Sequence, residues 1–171
     1  MRTTTGKIAV TATVLAAALG GGLAQASAPA AAAPDGGPMP SSCRPANHLA
    51  RITPDASSSG HSHYRVTLTA ARGYAPCLLA GSPVDVRFYH HGVPRKLPAG
   101  GYGPQHTPVV FGPGRPVHFD IQVPNYLPSV PADEATFTLR APGGDIPGES
   151  AASGRLRVSE GTVVGPVRPG A

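Results

Sequence analysis

Apolar and polar residues alternate in short runs along most of the chain beyond residue 43, and glycine or proline stops nearly every run. Tyr64, Val66 and Leu68 alternate with Arg65, Thr67 and Thr69. The same rhythm recurs at Val84–Tyr89, Val117–Val123 and Thr136–Arg140, with shorter stretches at His48–Thr53, Pro108–Phe111, Gly154–Ser159 and Thr162–Val167. A period of two places one set of side chains on a buried sheet face and the other toward water. With 21 Pro and 22 Gly in 171 residues, long helices are hard to sustain, and no segment after residue 28 keeps a helical period for ten residues. The expected fold is all-β, an antiparallel immunoglobulin-like β-sandwich, preceded by a cleavable signal peptide. Gly60, Gly81, His90-His91-Gly92 and Gly112-Pro113-Gly114 supply the turns between strands.

The first residues read as a targeting segment. Arg2 and Lys7 precede an apolar stretch from Ile8 to Leu23, and Ala26-Ser27-Ala28 offers the small-x-small pattern of signal-peptidase cleavage. Gly20-Gly21-Gly22 interrupts the apolar run, which falls short of the ~20 residues of a spanning helix. The expected organisation is a signal peptide over 1–28, a Pro/Ala-rich spacer over 29–42 and one β-sandwich domain over 43–170. Cleavage would leave 12 basic against nine acidic residues, a net charge of about +3 instead of +5. The arginines stand singly, without the clustered basic patch of a nucleic-acid binder. Secretion is the expected location, with no membrane span left after cleavage.

Cys43 and Cys77 are the only cysteines. In an oxidising compartment such a pair reads as a disulfide, and the absence of C-x-x-C spacing argues against a redox or metal role.

Cys43 with Leu49, Val66-Thr67-Leu68, and Pro76-Cys77-Leu78-Leu79-Ala80-Gly81-Ser82-Pro83 resemble the opening half of a secreted actinobacterial family, domain of unknown function 4232. Pro113-Gly114 followed by Val117–Val123, and the closing Gly161…Pro166-Val167…Pro169-Gly170, are similar to its later half. The resemblance spans residues 43–170 and implies an exported β-sandwich with one Cys pair. It carries no catalytic residues. Many relatives have a second Cys pair in the C-terminal half, which this chain lacks.

Histidine is the one chemically suggestive residue type. His61 and His63 are two apart, so on a strand they share a face, a spacing that metal sites use. His118, His106 and His90-His91 are further nitrogen donors, and Asp85 or Asp120 could supply oxygen. The reading favoured is loop histidines without a ligand, so no metal site and no cofactor is expected, with His61, His63 and His118 as the candidates set aside. Gly148-Glu149-Ser150-Ala151-Ala152 only superficially resembles a nucleophile elbow, since loop residues precede it and no helix follows. It is expected to be surface loop. No Trp is present, and Tyr102 and Tyr126 are the plausible exposed aromatics. The expected function is therefore a secreted, non-catalytic module that binds another protein or a cell-envelope component. The alternatives are a small metal-binding protein or metal-dependent enzyme using a histidine cluster, and a structural envelope protein.

Overall fold

A computed structural model describes residues 38–171. The expected signal peptide and most of the expected spacer lie outside the described residues. One 3-10 turn, Pro45–Asn47, leads into the strands: β1 (His48–Ser58), β2 (His61–Ala70), β3 (Cys77–Ala80), β4 (Val84–His90), β5 (Val93–Arg95), β6 (Gly100–Gly101) and β7 (Pro108–Phe111). Then follow β8 (Val117–Pro124), β9 (Val130–Thr138), β10 (Arg140–Ala141), β11 (Gly144–Asp145), β12 (Ser150–Val158), β13 (Val163–Val164) and β14 (Arg168–Pro169).

Ten strands form one sheet in the order β5-β4-β9-β12-β1-β2-β8-β13-β6, with β14 also paired to β8. Pairing is antiparallel apart from β1 with β12 and β13 with β6. Along this order three strands lie between β9 and β8. On a flat sheet that is about 19 Å, at ~4.8 Å per strand. Yet Phe119 of β8 and Phe137 of β9 pack edge to face with ring centroids 5.0 Å apart. The sheet must curl until its inner faces meet, giving an open, strongly curved sheet whose two halves enclose a sandwich-like core.

Alternation fills that core. Val117, Phe119, Ile121 and Val123 of β8 are buried, as are Val66 and Leu68 of β2, while the residues between them are half-buried. The separate two-stranded β3–β7 sheet adds Leu79, Val109 and Phe111 to the same cluster. Each such side chain contributes about 1.5–3 kcal/mol by leaving water. No described helix is long and apolar enough to cross a membrane.

Cys43 and Cys77 form a disulfide, with Cα atoms 6.0 Å apart. Ser42 N–H donates to Ala75 O at 2.8 Å and Ala75 N–H donates to Pro40 O at 2.9 Å, so ordered contacts reach back to residue 40. His48 fastens this segment to the sheet. Its Nδ1–H donates to Ser42 O at 3.0 Å, since a carbonyl can only accept, and its Nε2 accepts from Ser150 Oγ at 3.1 Å. Burial, opposed by backbone hydrogen bonds, holds the His48 imidazole below its ordinary pKa. The unfolded chain therefore takes up the proton first on acidification. This contribution is intact above the ordinary histidine value and is lost as pH falls below it. Denaturant midpoints at pH 7.5 and 5 should show that decline in the native protein and a flatter one in His48→Gln.

Two expectations change here. Gly148 and Glu149 are exposed loop, but residues 150–152 are not, because β12 begins at Ser150. Ser150 and Ala152 are buried with Ala151 exposed between them, so strand alternation takes over at the serine. Strand β9 starts at Val130, six residues before the expected Thr136, because pairing with β12 runs from Val130↔Val158 to Phe137↔Ser150.

Gly154 sits where the β9–β12 register shifts and β12 also meets β1. With φ +153°, a Cβ there would stand 2.1 Å from Ile52 O. Backbone is the obstacle, so Gly154→Ala is expected to cost on the order of 3 kcal/mol, read as a lowered urea midpoint. An unchanged midpoint would mean that β1 and β12 separate easily at this point.

Candidate metal centre

Strands β4 and β5 are joined by a two-residue turn. His90 pairs with Val93, and the connecting His91 and Gly92 have φ +50° and +75°. Positive φ at both central residues defines the type I′ turn that matches strand twist, where Asn-Gly or Asp-Gly is the usual choice. Histidine takes that place here. Consecutive residues of a strand point to opposite faces, so His90 and His91 would diverge in a continuous strand. The left-handed backbone at His91 cancels the alternation and brings the two rings together, with centroids 4.0 Å apart.

Strand β9 supplies the third group. Phe88 pairs with Ala135 and Tyr89 with Glu134, which places His90 opposite Asp133 on the next rung. Asp133 Oδ2 lies 3.2 Å from His90 Nδ1 and 3.2 Å from His91 Nδ1. The ligand atoms of all three residues lie within 4.8 Å of one another, and among the described residues this is the group of three metal-ligating side chains so placed. His90 and Asp133 are about one-third exposed or less, whereas the His91 side chain is 80% exposed, so the cluster opens to solvent on one side.

The backbone N–H of His91 donates to both carboxylate oxygens of Asp133, each at 3.1 Å. That hydrogen bond, and then the neighbouring imidazoles, hold the Asp133 carboxyl below its ordinary pKa, against the desolvation that raises it. Asp133 is thus ionised at neutral pH, the state in which a carboxylate binds a metal. The His90 Nδ1 is buried and stands 3.2 Å from Asp133 Oδ2.

This cluster overturns two expectations from the sequence. A purely non-catalytic module without a metal site does not fit a converged His-His-Asp set, and neither does a plain exclusion of enzymatic activity. His90 is no exposed loop residue; it closes strand β4 beside the core. The carboxylate of the cluster is Asp133 and neither of the aspartates singled out from sequence. Asp85 lies on the same strand at a register shift with φ +52°, and Asp120 lies on β8 opposite Arg65.

The other histidines are dispersed. His61 and His63 share a face of β2, with His61 edge to face with Tyr126 and His63 Nε2 2.7 Å from Ser58 Oγ. His118 lies on neighbouring β8 opposite Thr67, four residues along β2 from His63, and its Nδ1 contacts Gly170 O at 3.1 Å. That register is a separation of about 13 Å. Tyr126 is exposed, but Tyr102 is half-buried and its hydroxyl accepts a hydrogen bond from the Gln122 side chain.

No family model matches the chain, and neither a curated protein nor a solved structure matches it. What stands is a disulfide-stabilised, predominantly antiparallel β domain with a three-ligand cluster at one hairpin.

Proposed function

We propose that this chain is an exported metal-binding protein in which His90, His91 and Asp133 hold one first-row transition-metal ion, zinc foremost. The observation that carries the reading is the convergence of both Nδ1 atoms on Asp133 Oδ2 at 3.2 Å. Two donors held at ~2.0–2.1 Å from one zinc ion at a tetrahedral angle stand about 3.3 Å apart, which matches the spacing of each imidazole from the carboxylate oxygen. Imidazole nitrogen favours zinc, copper or nickel over magnesium or calcium, which prefer all-oxygen sites. Three protein ligands leave a position for water, and the exposure of His91 puts that position toward solvent. A bound zinc ion would lower the pKa of such a water, which gives the reading a catalytic form as a metal-dependent hydrolytic centre.

The leader pattern at residues 1–28 supports export. The immunoglobulin-like plan and the resemblance to the actinobacterial family of exported β domains agree with it. Export would also account for the disulfide.

The test is titration of the metal-stripped protein with zinc. One equivalent per chain should bind, with NMR shifts of the His90 and His91 imidazoles and reversal by chelator. Binding without shifts at these two rings, or no binding at all, rejects the site.

A further inference from the structure

We propose that a second site, the apolar cleft beside the Cys43–Cys77 disulfide, binds a small amphipathic molecule with an apolar body and a single carboxylate head. The cleft encloses about 830 Å³, within the ~300–1,000 Å³ of small-molecule sites. It shares no residue with the His-His-Asp cluster.

Three chain segments make its walls. The 3-10 turn and the residue before it contribute Pro45 and Arg44, strand β3 contributes Leu78, and the β10–β11 hairpin with the residues after it contributes Pro142, Ile146 and Pro147. The disulfide itself lines the cleft. These walls are held before any ligand arrives. Asn47 Nδ2 donates to Ser41 O at 2.7 Å, and Ile146 N–H donates to Leu139 O at 2.8 Å. Preorganised walls of this kind spare a ligand much of the ordering cost of binding.

The lining defines the ligand's chemistry. Leu78 is 47% exposed, so an apolar body placed against it would take apolar surface of both partners out of water. Arg44 is the one charged residue of the lining, it is exposed, and it makes no ion pair among the described residues. One free guanidinium at the rim of an apolar trough matches one carboxylate, which it can hold through two parallel hydrogen bonds.

The probe is decanoate, with decyltrimethylammonium as the cationic counterpart of equal chain length, each below its micelle concentration. Amide NMR of the intact exported protein should show saturable decanoate shifts centred on Leu78 and Ile146, and none with the cation. Arg44→Glu should weaken decanoate at least tenfold while leaving the spectrum folded, and Leu78→Asp should abolish binding. Equal binding of anion and cation, or binding indifferent to Arg44→Glu, overturns the proposal. So does decanoate binding that appears only after residues 29–37 are deleted, because the chain's own spacer would then be the occupant. Decanoate that merely disperses a dimer assigns the cleft to a second copy and overturns it likewise.

Discussion

Replacing Asp133 with alanine should lower zinc affinity about a hundredfold or more, since even groups behind the ligands commonly change affinity 10–100-fold. Asp133 does two jobs. It offers Oδ2 to both imidazoles, and it accepts the His91 N–H that fixes the left-handed turn. Asp133→Asn separates these jobs. The amide oxygen still accepts from His91 N–H, but the negative charge is gone, so zinc should weaken strongly while the thermal midpoint moves little. His90→Ala should lose binding to a similar extent. His61→Ala, His63→Ala and His118→Ala should bind as the native chain does, because those rings sit on β2 and β8 with partners of their own. Calorimetric titration of this set decides the question. If the Asp133 variants retain native affinity and a His61 or His63 variant does not, the centre lies on β2.

Removing the disulfide should produce the largest stability loss of any change considered. Cys43 and Cys77 are separated by 34 residues, and opening a loop of that length costs about 3–4 kcal/mol in the chain-entropy description. For a domain of this size that is roughly 10–15 °C in Tm. The double variant Cys43→Ser, Cys77→Ser and the native chain in reductant should melt together, both well below the oxidised protein. Local effects should follow the same geometry. The link anchors the segment around Ser41–Asn47 to β3, and His48 rests edge to face on Phe111 of β7 with centroids 5.6 Å apart. Amide exchange should therefore rise first around residues 41–48 and 77–80. Equal melting of oxidised and reduced protein would assign the anchoring to the Ser42–Ala75 and Pro40–Ala75 hydrogen bonds instead.

Much of the β architecture was legible because alternation is a local signal. Tyr64–Thr69, Val84–Tyr89 and Val117–Val123 lie inside β2, β4 and β8. The beginning of β9 was not legible, since Val130-Pro131-Ala132-Asp133-Glu134 is built mostly of residues that strands disfavour. It is a strand because β12 pairs with it from Val130 onward, and β4 joins on the other side at Glu134. The His90–His91–Asp133 cluster was hidden for the same reason. His90-His91 was visible as a turn, but Asp133 meets it only through the β4–β9 register, which no linear pattern contains. A type I′ turn with histidine where asparagine is usual was the one local hint. The disulfide, by contrast, needed only two cysteines and an oxidising address.

The place of β1 in the sheet has a consequence for how the molecule is assembled. The first strand of the fold lies at the centre of the strand order, between β2, its immediate successor, and β12, about a hundred residues later. A chain emerging from its amino end can pair β1, β2 and β8 early, but one long edge of β1 then waits without a partner until residues 150–158 appear. Such long-range closure is slow, and an open edge invites pairing with other chains in the meantime. Strand β12 thus acts as the closing seam of the domain: a nascent chain cut short before Ser150 would keep its apolar faces and lose the strand that joins them.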